Sequence, residues 1–541
     1  MAVSSHVSPP RTSVASPVQG EQAQVPDGQC TTQSTIRRGD PGPGGWRALI
    51  PSQPEEYCSP IPEGQPLGCL WHLSDLHLCD AESPARQEYL DRFADPDSPY
   101  RSEIGDVGTY RPQEILTAQV AVAMVNTVNS YRYGPATGAA VDGVVITGDL
   151  TDNAQGNELQ WYQRIVAGGI VAPRSGDPGC SSWVGSASSP WDERYWHPDG
   201  PPAGEVDDLP TRAYGYPRIP GLVEAARRDL ISPGLAMPWV SVPGNHDGLL
   251  QGTVPADERL ARLATGGERI TGLPVGMDPR MTMHAIPGNG PARYLHDDSS
   301  PRTPIPPDPA RALLHPTAFA ELTRGAQHGP AYFATELGDL RIIVLDTVNP
   351  HGGWQGSIDE GQQAWLAEEL DRASDRHVVI ASHHPSPSMT NDWAPPGAGR
   401  RVLGSEVVSL LLEHRQVIAW LAGHIHAHGV IVHERDGRAF VELTTASLID
   451  WPQQGRILEF IRTHDGDAPC IAIVSTVMNH AAPADWQAES LDEPLALASI
   501  SRALAANDYQ LRDGSIRSIV LESFPQARNN VWLVPDPLAS D

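Results

Sequence analysis

Asp75, His77, Asp149, Asn245, His383, His424 and His426 offer carboxylate, amide and imidazole donors, with no thiolate among them. An oxygen and nitrogen set of this kind suits Mn, Fe, Zn or Co better than a soft metal or a structural site built from cysteine. Seven mixed donors exceed the tetrahedral set of a single ion. They fit two divalent or mixed-valence ions that share Asp149, because a carboxylate can bridge two cations. Two ions about 3.5–4 Å apart polarise a phosphoryl oxygen and lower the pKa of a bound water, so the chemistry that follows is hydrolysis of a phosphate ester.

These donors need scaffolding that brings them together. The central stretch, Pro238-Trp239-Val240-Ser241-Val242-Pro243-Gly244-Asn245-His246-Asp247, is an apolar run cut off by glycine and followed by polar side chains. It reads as a buried strand ending in a working loop. Alone, Gly-Asn-His-Asp is equally an ordinary turn, since turns favour these residues. The same grammar recurs four times: residues 70–74 run into Asp75-Leu76-His77, 144–147 into Gly148-Asp149, 378–382 into His383-His384, and 417–422 into Gly423-His424-Ile425-His426. Strands that share a sheet would deliver all of these side chains to one point.

Composition is that of a globular enzyme: 40% of the 541 residues are hydrophobic and 14 are Trp, while 50 Gly and 52 Pro imply many structured, irregular loops. The formal charge of −28, with no Lys/Arg cluster longer than a pair, opposes binding to a nucleic-acid polymer. Bound divalent ions would still admit a small anion by reversing the local field. Six cysteines without a CxxC pair make no disulfide framework, which points to a reducing, cytoplasmic setting. No apolar run approaches the length of a membrane span, and no membrane partner is expected. Residues 1–29 read as a disordered tail and lack the apolar segment of a signal peptide. Arg37-Arg38 is followed by Gly39-Asp40-Pro41-Gly42-Pro43-Gly44, which excludes a twin-arginine leader.

Farther along, Pro112 suits the first turn of a helix running to about Asn129, and Leu150-Thr151-Asp152-Asn153 suits the start of another. Trp183, Trp191 and Trp196 mark an insertion packed by its own aromatics. Asp346 follows a strand over 341–345 but lacks a polar partner, so it falls outside the ligand set. Helices are expected over 359–373, 404–414 and 495–506, and a last strand over 531–534. Asp436-Gly437 and Asp465-Gly466 read as hairpin turns whose strands extend a second sheet.

In order, Asp75-Leu76-His77, Gly148-Asp149, Gly244-Asn245-His246-Asp247, His383 and Gly423-His424-Ile425-His426 resemble the five blocks of the calcineurin-like metallophosphoesterase superfamily. Ser83-Pro84-Ala85-Arg86, Tyr110-Arg111-Pro112-Gln113-Glu114 and Thr444-Thr445-Ala446-Ser447 are similar to an actinobacterial-type subgroup of that superfamily. The resemblance implies an α/β fold, a four-layer αββα sandwich of two mixed sheets flanked by helices, over residues 66–480. Insertions lie near 155–235 and 248–335, with extensions at 30–65 and 481–541. It assigns Asp75, His77 and His426 to one ion, Asn245, His383 and His424 to the other, and Asp149 to the bridge. His246 is implied to face the phosphate, as a charge stabiliser or as the acid for the leaving oxygen, with Asp247 orienting it. Arg111, Asn153 and His384 are candidates for substrate contact or for support behind the ligands, and His428 for the surface or that same support. The two insertions are expected to wall the cleft and restrict it to small mono- or diesters. The alternatives are a non-catalytic metal-bound scaffold, which would tolerate the loss of ligands that are all present here, and a nuclease, which the charge disfavours.

Overall fold

Runs of Val, Ile, Leu and Ala too short for helices, and apolar on both faces, have one good solution, which is strands buried between two layers. The computed structural model describes residues 34–105, 107–281, 297–314, 330–486, 490–512 and 523–539. The tail expected over residues 1–29 lies outside them. Its principal strands are β1 Gln65–Leu73, β2 Gly143–Ile146, β3 Trp239–Ser241, β4 Phe333–Leu337, β5 Leu340–Val344, β6 His377–Ala381, β7 Val417–Ala422, β8 Gly429–Arg435, β9 Arg438–Thr444, β10 Gln454–Asp465, β11 Ala468–Asn479 and β12 Asn530–Pro535. The helices that cover them are α1 Thr117–Ser130, α2 Gly156–Ala167, α3 Glu360–Arg372, α4 Gly404–Glu413 and α5 Pro494–Ala506.

Two six-stranded sheets form, in the orders β12-β11-β10-β1-β2-β3 and β4-β5-β6-β7-β9-β8. Both are mixed: β1, β2 and β3 run parallel, as do β5, β6, β7 and β9, while the remaining pairings are antiparallel. Alternation along the strands decides what lies where. Leu70, Val145 and Val240 point between the sheets and meet Ile342, Val379, Ala419 and Leu443. Trp71, Val144 and Ile146 point the other way, beneath Val120, Met124, Leu159 and Ile165 of α1 and α2. On the far side, Ile343, Ile380 and Trp420 pack under Leu366, Leu370, Val407 and Leu411 of α3 and α4. The result is the four-layer αββα sandwich.

Several boundaries differ from the sequence reading. The helix expected from Pro112 begins at Thr117, after a turn of 3-10 helix, because Glu114 accepts the Arg111 N–H and is itself held by Arg86. Residues 150–153 start no helix, and α2 begins only at Gly156, where Gln155 and Glu158 form a capping box. The two hairpins do not share a sheet. β8 and β9 complete the second sheet, with Asp436 and Gly437 both left-handed at the turn, whereas β10 and β11 build the first. Pairing of β12 with β11 draws the end of the chain into the first sheet, so a boundary at 480 would divide a hydrogen-bonded layer. Trp183 and Trp196 are fully buried in one aromatic cluster with Tyr110, Tyr195 and Tyr216, which also receives Leu497, Ile500 and Leu504 of α5. Among the described residues, no helix is long and apolar enough to cross a membrane.

Candidate metal centre

The C-terminal ends of β1, β2, β3, β6 and β7 open on one edge of the sandwich, and each is followed within a few residues by its expected donors. Parallel strands in an α/β fold present their carboxyl ends to a crevice of this kind. The backbone is strained there: Asp75, His77, Asp149, His424 and His426 all have positive φ, between 44° and 70°. Left-handed conformation in a residue with a side chain costs about 1–2 kcal/mol, and strain of this sort gathers at functional sites. Close approach adds to it, since a Cβ on Gly423 would stand 2.5 Å from Oδ2 of Asp75.

Ligand atoms of Asp75, His77, Asp149 and His426 lie within 4.8 Å of one another, and those of His383 and His424 form part of a second group. Nε2 of His77 is 3.2 Å from Nε2 of His426 and 3.5 Å from Oδ2 of Asp149, and Nε2 of His426 is 3.5 Å from Oδ1 of Asp75. Nε2 of His383 lies 2.9 Å from Oδ1 of Asn245 and 3.2 Å from Oδ2 of Asp149. Asp149 therefore stands between the two groups.

The far nitrogens of these rings fix their tautomers. Nδ1–H of His77 donates to Oδ1 of Asp152 (2.9 Å), Nδ1–H of His426 to Oδ2 of Asp450 (2.7 Å), and Nδ1–H of His383 to the Thr147 carbonyl (2.8 Å). Such partners orient a ligating imidazole and raise its basicity. Burial works against ionisation of Asp152, yet Arg86 beside it and the bond from His77 hold its carboxyl well below the usual range. Arg86 also donates to Glu114 (2.7 Å), whose other oxygen accepts Nε1–H of Trp183 (2.9 Å). The aromatic insertion thus braces a ligand histidine from three residues away. Sequence reasoning missed Asp152, Asp450 and Arg86 in these roles. Their signal was present in part, since Asp152 sits three residues after Asp149 and Arg86 lies in a noted motif.

With each Nδ1 directed at an acceptor, each Nε2 is left to face the carboxylate and amide oxygens of the cluster. Nδ2 of Asn245 donates to the Gly252 carbonyl (3.0 Å), so its Oδ1 joins those oxygens. Burial alone would lower the His383 pKa, but Asp149 beside it raises it to about 9. His424, with burial and then the His383 charge against it, is driven down to about 3.

The remaining candidates divide. His246 lies at the mouth, with its N–H on Oδ1 of Asp149 (2.8 Å), its Nδ1–H on the Asp152 carbonyl (2.7 Å) and its ring edge against His77. Burial pushes its pKa to about 4 despite Asp149, which favours a neutral imidazole with Nε2 free of the proton. The orienting role expected of Asp247 is corrected. Its carboxylate accepts the N–H groups of Gly244 (2.8 Å), Thr151 (2.8 Å) and Leu150 (3.2 Å), which clamps the loop after β3 to the loop after β2.

Arg111 is no free phosphate contact, because its Nε donates to Asp450 (2.8 Å) and its NH1 to the Gly108 carbonyl (2.9 Å). Asn153 is fully buried, donates to Glu158 (2.6 Å) and accepts from Gln251, so it ties loops together and does not meet substrate. His384 falls within ligand distance of His383 and His424, but Thr347 Oγ1 (2.8 Å) and the Trp354 carbonyl (3.0 Å) occupy both its nitrogens. His428 is no surface residue: it is buried, with Nδ1 accepting from Arg456 (2.7 Å). Asp346 stays outside the cluster and accepts the Val348 N–H (3.1 Å).

A cavity of about 590 Å³ opens on the cluster. Its walls come from residues 87–111 and 250–254, with Trp354 and Ile425. The segment between β1 and β2 thus replaces the insertion at 155–235, which lines none of it. That insertion instead folds around Trp183 and Trp196 against α5.

Histidine and carboxylate donors thus gather at one edge of the four-layer sandwich, where they could hold metal. The family model of calcineurin-like phosphoesterases matches residues 218–428 of this chain. The chain is 29% identical over 91 residues to the 3',5'-cyclic adenosine monophosphate phosphodiesterase CpdA of Pseudomonas aeruginosa, a match that spans 17% of this chain and 32% of that relative. Among solved structures it is similar to a dimetal phosphatase from Danio rerio at 14% identity and a TM-score of 0.31, covering 77% of this chain and 97% of that one. It is also similar to a Thermus thermophilus sulfate thiohydrolase, SoxB, at 12% identity and a TM-score of 0.28, covering 80% and 60%.

Proposed function

We propose that the protein is a metal-dependent hydrolase of small phosphate mono- or diesters. The observation that carries this reading is the convergence of ligand atoms. Nε2 atoms of His77, His426 and His383 and oxygens of Asp75, Asp149 and Asn245 converge at 2.9–3.5 Å, an arrangement that needs protons or cations between its members. The donors fit two ions, with Asp75, His77 and His426 holding one, Asn245, His383 and His424 the other, and Asp149 between them. When bound, the ions supply Lewis acidity that polarises a phosphoryl oxygen and acidifies water.

The chain's own residues do the rest. Asp152, Asp450 and the Thr147 carbonyl keep three imidazoles in the tautomer that faces inward. Hydrolysis joins a water oxygen to phosphorus, breaks the ester P–O bond and leaves a proton on the departing alkoxide. We assign delivery of that proton to Nε2 of His246, whose Nδ1–H is fixed on the Asp152 carbonyl. The neutral resting imidazole must first take that proton up, which an incoming phosphate's negative charge favours. The net charge of −28 favours a small ester over a nucleic-acid polymer.

Turnover of an aryl phosphate and an aryl phosphodiester by protein loaded with Mn, Fe, Zn or Co tests the reading. Asp149→Ala should abolish turnover and lower metal content, and Asp346→Ala should do neither. Absence of turnover with every metal, or full metal content with normal rate in Asp149→Ala, overturns it.

A further inference from the structure

The cavity beside the metal cluster joins the cluster's own side chains to apolar ones, Leu90, Ile104, Val107, Leu250, Val254 and Trp354, with the uncharged Gln87, Thr109, Gln251 and Thr253 among them. Trp354 remains 37% exposed there, so its indole is accessible to a ligand in the cavity. Cations are scarce: among the described lining residues Arg111 is the one guanidinium, there is no lysine, and Asp450 and the Gly108 carbonyl already hold Arg111. A second phosphate or a carboxylate on the substrate would therefore enter without a counter-ion, and an unpaired charge removed from water is costly. An apolar group would be favoured there in proportion to its area, and 590 Å³ lies within the range of drug-sized ligand sites.

Resting on the phosphoesterase reading, we propose that the natural substrate is a phosphate ester of an uncharged, apolar alkyl or aryl alcohol, bearing one phosphoryl group, whose organic part fills this cavity. Specificity then comes from residues 87–111 and 250–254 and Trp354, and the metal cluster supplies none of it.

A series of n-alkyl phosphates from methyl to octyl, assayed with the Mn-loaded full chain, tests this. Each methylene should raise kcat/KM about three- to fourfold until the cavity is filled, mainly through KM. Val107→Asp and Trp354→Ala should flatten that slope; Trp354 is partly exposed and Val107 half-buried, so both variants are expected to fold, and far-ultraviolet circular dichroism checks that. Adenosine 5'-triphosphate, a sugar bisphosphate and 3',5'-cyclic AMP complete the panel. The proposal is overturned if kcat/KM is flat across the alkyl series, if a polyphosphorylated compound or cyclic AMP exceeds octyl phosphate, or if folded variants keep the wild-type slope. No turnover of any ester, methyl phosphate included, would instead refute the phosphoesterase reading on which this inference rests.

Discussion

At the scale of single residues, the site depends on which nitrogen of each histidine carries its proton. His426 has a carboxylate behind it, and Asp450 in turn holds the buried Arg111. Removing that carboxylate frees the His426 tautomer and leaves a guanidinium unpaired. Asp450→Ala should weaken metal binding by about 10–100-fold, read by competition with a chelator, and lower stability by about 3–5 kcal/mol. Pairing it with Arg111→Met should recover much of the stability and none of the metal affinity. His246 commits its Nδ1–H to the Asp152 carbonyl, so His246→Ala should keep its metals and lose rate by about 10²–10⁴ for an alkyl ester with a poor leaving group. An activated aryl ester needs little proton donation and should lose less. Equal losses at matched metal content would exclude the general-acid assignment, and lost metal would make His246 a ligand.

At the scale of elements, loops matter more than strands. Gly252, at φ +65°, closes the loop after β3, and a Cβ there would stand 2.4 Å from both Nδ2 of Asn245 and Nε2 of His246. Gly437, at φ +74° on the β8–β9 turn, has nothing within 4 Å. Alanine at either position pays the left-handed backbone penalty of about 1–2 kcal/mol, but only Gly252→Ala should also lower kcat/KM, by more than about tenfold for displacement of this order. The comparison also marks what the sequence can disclose. Strand ends and their donors are legible because burial on both faces and the break at glycine are local patterns. Asp152 and Asp450 look like turn or cap residues, since their meaning depends on which imidazole tertiary structure brings opposite them. The wall at 87–111 carries no metal grammar, and nothing local says that it, in place of the Trp-rich insertion, turns toward the cleft. His246 is legible as part of the loop that carries Asn245, yet its lowered pKa follows from burial that only the packed loops create.

At the scale of the whole molecule, the metal cluster couples folding, protons and cations. In the metal-free chain His383 has its pKa raised from about 6.5 to about 9 by Asp149, once burial has been overcome. A histidine with a raised folded pKa contributes stability that is fully present below its unfolded value and lost as pH rises through the folded one. The melting temperature of the metal-free protein should therefore fall between pH 6.5 and 9. Metal must displace that proton, so metal binding should release protons and tighten over the same interval. Holding free metal at 100 times its Kd stabilises the fold by about 2.7 kcal/mol, and this linkage grows as Kd falls. Scanning calorimetry of chelated and loaded protein across this range should give curves that diverge with rising pH. His383→Gln removes this titrating group and should make the chelated curve shallower, leaving the fall that buried Glu158, Glu114 and Asp247 contribute. Parallel curves would mean that no proton stands in for the cation, and would remove the electrostatic argument for how this site holds its metals.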